Sequence, residues 1–188
     1  MKGLINKPDS FVSIDASTNS LAFAYFKQDS LIRYGKIKYF GNDIYEKISD
    51  TSHKTQAFFK QFSELEYLLI EQPIYLNSPK TAANLSMSHG ALVGSAALAG
   101  VKHMASVSPM QWQNWIGNGR LTIVEKDIIR KETPNKSESW YKSKEREFRK
   151  SRTIKFVNEK FNLKVDDDDI ADSIAIGSWA VDNWNKVF

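Results

Sequence analysis

The chain has 188 residues, 41% hydrophobic and 26% charged, ordinary for a soluble globular protein and long enough for one domain with a substantial core. It has no cysteine, which excludes disulfides and thiolate zinc sites and suggests a reducing interior. There is no apolar run of about 18 residues and no leading apolar segment, so neither a membrane span nor a secretory signal is expected, and the predicted location is cytoplasmic with no membrane partner.

The net charge of +4 is unevenly placed: Arg120 to Lys155 holds 12 Lys and Arg against 6 Asp and Glu, leaving 14 against 16 elsewhere. One basic segment on a neutral-to-acidic body suits a polyanionic partner such as nucleic acid, although a solvated charged segment explains the count equally well.

Taken in order, Met1 to Ser10 reads as a lead-in, with Pro8 and Asp9 as turn residues. Phe11 to Asp15, Leu21 to Lys27 and Leu31 to Phe40 read as three strands joined by short polar turns, an antiparallel meander. Asp43 to Phe62 has helical spacing, with a weak point at Ser49 to Ser52. Tyr67 to Ile70 is a continuous apolar run, as expected of a strand buried on both faces, and it ends in Glu71. Thr81 to Ala99 reads as a helix rich in Ala, Gly and Ser, Lys102 to Val107 as a fifth strand, and Ser108-Pro109 as the start of a helix to Ile116. Leu121 to Arg149 is polar, basic and reads as helical in pieces; Lys150 to Phe161 returns to helical spacing. Ile170 to Trp184 is a helix that is apolar nearly all round, which implies burial. The expected class is α/β: a five-stranded mixed sheet, three strands antiparallel and two parallel, flanked by helices in a single domain spanning 1–188.

The carboxylates stand out against this frame. The run Asp166 to Asp169 leads into the last helix, and acids are favourable at a helix N-terminus. That explains Asp166 and Asp167 as linker or capping charge and makes Asp168 the expected N-cap. It does not explain Asp172, which shares a face with Asp169 on a buried helix and needs a partner. Asp15 ends the first strand and Glu71 the fourth, where sites gather in open α/β sheets. As lone residues, Asp15 could cap a turn before Ser17-Thr18 and Glu71 could be a surface acid. Together the four form an oxygen-only set that selects Mg²⁺, with Mn²⁺ able to substitute. Two such ions about 3.5–4 Å apart suit phosphodiester hydrolysis. His53, His89 and His103 are scattered and are given no catalytic role.

Five stretches in this order resemble the RuvC-type Holliday junction resolvases, members of the ribonuclease H-like superfamily. They are Ser13 to Thr18; Leu69-Ile70-Glu71-Gln72; Asn77 with the helix through His89-Gly90-Ala91 to Ala99; Gly117-Asn118-Gly119-Arg120; and Asp169-Ile170-Ala171-Asp172-Ser173. The resemblance implies a ribonuclease H-like fold and a crossover junction endodeoxyribonuclease that cuts four-way DNA by two symmetric nicks. It implies metal ligation by Asp15, Glu71, Asp169 and Asp172 with two Mg²⁺ per site, Asp168 being the substitute for Asp169. It further implies a homodimer, for which the small-residue helix is the candidate interface.

Two departures accompany it. A lysine that serves the phosphate is absent near Trp112 and Gln113, and Lys150 matches the other, which requires a basic insertion at about 121–149. Ile74 or Tyr75 stands where the family places a wedge residue at the junction centre. With Arg120, Lys150 and Arg152 they are the expected DNA contacts, and Trp140, Tyr141 and Phe148 add aromatic surface within the insertion. The compact chain with its insertion resembles phage or viral versions, placing it in a bacterial or phage-infected cell. The alternatives are a broader branched-DNA nuclease, a nuclease for RNA–DNA hybrids, or a junction-binding module without catalysis.

Overall fold

The computed structural model describes residues 6–62, 64–73 and 78–187. The predicted wedge residues Ile74 and Tyr75, and Asn77, lie outside them. The meander forms as β1 (Ser10–Ala16), β2 (Ser20–Lys27) and β3 (Ser30–Lys38), followed by α1 (Ile44–Phe59) and β4 (Tyr67–Glu71). Then come α2 (Pro79–Leu98), β5 (His103–Val107), α3 (Pro109–Trp115), α4 (Ile123–Glu132), α5 (Glu138–Phe161) and α6 (Asp168–Asn183), with a short 3₁₀ turn at Trp184–Lys186. The sheet order is β3-β2-β1-β4-β5, antiparallel across β3-β2-β1 and parallel across β1-β4-β5. This is the expected five-stranded mixed sheet.

Strand periodicity divides the core in two. Val12, Ile14, Leu68 and Ile70 face α1 and α2 and pack with Phe58, Phe59 and Leu92. Phe11, Ala24, Phe26 and Leu69 face the other way and pack with Ile174, Ile176 and Trp179 of α6 and Val157 of α5. Asp15 and Glu71 continue the second set by the two-residue alternation, so both carboxylates emerge on the α6 side.

Helix α6 lies unusually close to the sheet. A Cβ at Gly177 would strike the Phe26 ring and come within 2.5 Å of Ser13 Oγ, so only glycine allows the approach. The buried Ser13 hydroxyl donates to Ser173 O at 2.8 Å, tying the helix to the centre of β1.

Three expectations are corrected. The weak point in α1 does not break it: the Thr51 and Thr55 hydroxyls donate to Lys47 O at 2.7 Å and Thr51 O at 2.6 Å, absorbing their polarity inside the helix. The segment 121–149 is helical in two pieces, α4 and the first half of α5, and the helix expected at Lys150 begins twelve residues earlier, at Glu138. Ser137 caps that start, and Tyr141 Oη donates to Thr133 O at 2.8 Å, closing the turn between the two helices. The N-cap of α6 is Asp167, not Asp168: its carboxylate accepts from Ile170 N at 3.1 Å, and Asp168 is already helical.

Candidate active site

The parallel register sets Ile14 beside Ile70, which brings Asp15 and Glu71 level at adjacent strand ends. The first two turns of α6 carry Asp169 and Asp172 over the same spot. The four predicted acids are therefore brought into one region, and their electrostatics record it. Burial, then the charges of Glu71, Asp172 and Asp169, push the Asp15 carboxyl well above the usual carboxylate range. Burial raises Glu71 as well, against hydrogen bonds with Trp112 and Asp15 that favour its ionised form. Asp172 is pushed up to about 7 by burial and then by Glu71, while the Thr153 hydroxyl and Lys150 pull the other way.

Each outer acid has a holder from a different element. Trp112 of α3, fully buried, donates its indole N–H to Glu71 Oε1 at 2.9 Å. The hydroxyl of Thr153, on α5, serves Asp172. Asn118 steadies Thr153 by donating to its Oγ1 at 2.9 Å and to Arg149 O at 2.7 Å. Lys36 of β3 pairs with Asp169 Oδ2 at 2.6 Å and Asp167 Oδ2 at 2.8 Å. Among the described residues, no three acids or histidines are gathered as a closed ligand set. The donor chemistry nevertheless fits hard cations: a buried, mutually repelling oxygen cluster is what a divalent ion relieves.

The other predicted residues lie around this cluster. Lys150 pairs with Asp168 at the start of α6, and Arg152 pairs with Glu125 of α4 and lies 4.7 Å from the Phe148 ring centre. Arg120 is exposed in the link before α4. His89 is half-buried on α2, and burial lowers its pKa.

Sequence reasoning missed Lys36 altogether and did not give Trp112 or Thr153 a role. Lys36 reaches the site along one cross-strand row: Asp15 lies opposite Ala22, and Ala22 opposite Lys36. The small alanine leaves the lysine stem a path toward α6.

No protein-family model matches the chain, and no curated protein matches it in sequence. Solved structures do match. T. thermophilus RuvC in complex with a Holliday junction substrate aligns with TM-score 0.64 at 15% identity, over 92% of this chain and 92% of that one. A second Thermus thermophilus RuvC structure gives 0.60 at 15% identity, covering 90% and 92%. The yeast mitochondrial Holliday junction resolvase Ydc2 gives 0.50 at 15% identity, covering 94% and 78%. At this identity the likeness is one of architecture, and the chain has the ribonuclease H-like fold of these resolvases.

Proposed function

We propose that the chain is a metal-dependent, structure-selective endodeoxyribonuclease that hydrolyses phosphodiester bonds of four-way DNA junctions. The observation that carries this reading is the convergence of Asp15, Glu71, Asp169 and Asp172 beyond the ends of β1 and β4, in a fold shared with junction resolvases. A non-catalytic binding module has no use for such a cluster, whose buried charge is costly without a ligand. The whole span 1–188 is read as one nuclease domain.

Asp15, Glu71, Asp169 and Asp172 would hold two Mg²⁺, or Mn²⁺ in its place. Bound there, the ions supply an activated water and neutralise charge on the phosphate. The chain's own residues do the rest. Trp112 fixes one oxygen of Glu71. Thr153 orients Asp172, and Lys150, paired with Asp168 at the edge of the acids, is the residue proposed to meet the phosphate. Each of the two nicks consumes one water and breaks one P–O bond. Arg120, Arg152 and the basic α4–α5 hairpin are the proposed backbone contacts. Ile74 and Tyr75 are retained as proposed wedge residues.

Paired nicks on a two-fold junction suit a homodimer. Helix α2 carries the small residues Gly90, Gly94 and Ala97 with the exposed Met87 and Leu98, and it is the proposed interface. Light scattering with and without junction DNA checks this; a monomer under both conditions refutes it.

The deciding experiment is Mg²⁺-dependent cleavage of a labelled four-way junction by wild type and Asp15→Asn, with a Y-fork and an RNA–DNA hybrid alongside. The asparagine keeps the shape and removes the charge, so junction binding survives and cutting is lost. Equal cutting by both proteins overturns the site, and preferred cutting of the fork or hybrid overturns the substrate.

A further inference from the structure

We propose that Lys36 is a built-in placeholder cation, which neutralises Asp169 while the site is empty and withdraws when divalent metal binds. This rests on the metal reading given above.

The holders of the three outer acids differ in kind. Trp112 and Thr153 are neutral donors. A carboxylate has lone pairs enough to accept from a neutral donor and ligate a cation at the same time. An ammonium group is different, because its charge opposes that of the incoming ion at close range. Lys36 Nζ sits 2.6 Å from Asp169 Oδ2, and its side chain is only 19% exposed, so the bridge is partly shielded from water. Asp169 therefore cannot keep Lys36 and take up a metal ion with full strength.

The lysine also has somewhere to go. Its ammonium already contacts both oxygens of Asp167, at 2.8 and 3.1 Å. Asp167 is the N-cap of α6 and lies outside the four-acid cluster. Releasing Asp169 leaves Lys36 paired with Asp167, so the exchange needs a side-chain shift and no movement of β3. The backbone places Lys36 for this. Tyr25 pairs with Arg33 and Phe26 with Leu31, so Ile32 is an extra residue in β3. The bulge turns Lys36 onto the α6 side, opposite Ala22.

The test is Mn²⁺ binding to the full chain without DNA, by calorimetry, for wild type, Lys36→Met and Lys36→Arg, with melting temperatures in chelator and in saturating Mn²⁺. The methionine variant should bind Mn²⁺ about tenfold tighter than wild type, and the arginine variant should stay near wild type. Without metal, K36M should melt lower than wild type, and saturating Mn²⁺ should close the gap. In an Asp169→Asn background, K36M should no longer tighten binding. If K36M fails to fold without metal, Lys36→Gln replaces it, since it retains a polar side chain.

Unchanged or weaker Mn²⁺ binding by folded K36M, with wild type binding normally, overturns the placeholder role and leaves the metal reading standing. Tightening that persists in the Asp169→Asn background also overturns it, because the effect then does not run through Asp169. Absence of Mn²⁺ binding by every variant and by wild type overturns the metal reading and this proposal together.

Discussion

At the scale of single residues, Asp172 links the site to pH. Burial and then Glu71 push its carboxyl up to about 7, so the folded chain keeps a proton that the unfolded chain has already lost. Stability from this group is whole below about pH 4, declines as pH rises and is fully lost above about pH 7. Asp15 and Glu71 are raised too and act in the same sense. The lowered acids, among them Asp50, Glu66 and Glu125, act in the opposite sense, but they lose their stabilising charge only in more acidic solution. Metal-free protein should therefore melt higher near about pH 5 than near about pH 8, and saturating Mg²⁺ should flatten the difference. Calorimetric scans at the two pH values check this. Trp112→Phe keeps an aromatic ring and removes the N–H that Glu71 accepts. A hydrogen bond to a carboxylate contributes about 1.5–3 kcal/mol, so Mn²⁺ affinity should fall about tenfold while the far-ultraviolet spectrum stays unchanged. Titration calorimetry with Mn²⁺ measures the loss.

The four acids were legible in the sequence because two of them end apolar strands and two share a face of a buried helix. Lys36 was not, and the reason is local. Without the extra residue Ile32, counting back from the Gln28–Asp29 turn pairs Lys36 with Leu21 and directs it toward α1 and α2. The bulge that reverses this has no glycine to announce it; Ile32 is a 58% exposed isoleucine in a run of strand formers. Trp112 escaped because a lone indole on a short helix reads as core, which it also is.

At the scale of elements, α6 sets the geometry of the site through how closely it approaches the sheet. Gly177→Ala places a methyl against Phe26 and Ser13 Oγ, and the helix must lift to fit it. The expected cost is about 2–3 kcal/mol, read from denaturant midpoints. Mn²⁺ affinity should drop with it, because Asp169 and Asp172 ride on the helix that moves. The α5 helix shows the limits of pattern reading in the other direction. Its C-terminal half has an apolar stripe through Ile154, Val157 and Phe161, and that half was legible. Its first half is Lys-, Arg- and Glu-rich, with Tyr141 alone buried before Thr153. Along it run contacts that no periodicity encodes: Arg130 paired with Glu138 at 2.8 Å, Lys126 with Glu145 at 3.3 Å, and Arg152 with Glu125.

At the scale of the molecule, charge and topology divide the work. The meander and two parallel strands were readable because short turns and one buried apolar run leave few arrangements. The basic residues cluster on the α4–α5 hairpin, in elements separate from those that carry the four acids. Lys142 and Arg146 are both exposed, one turn apart on α5. Reversing both to Glu should weaken junction binding about tenfold at low salt and flatten its salt dependence, as fewer counterions are released. The saturated cleavage rate should not change. Anisotropy titrations over a salt series, with single-turnover cleavage alongside, test the two parts separately.

The position of α6 in the chain has a further consequence. All five strands precede it, so every strand of the sheet has been synthesised before Asp169 and Asp172. On the proposed reading, a nascent chain, or one clipped before α6, holds half an active site and cannot cut. Competence comes only when the last helix seats its glycine against Phe26 and its carbonyl on Ser13. On that reading, order of synthesis withholds cutting until α6 is in place.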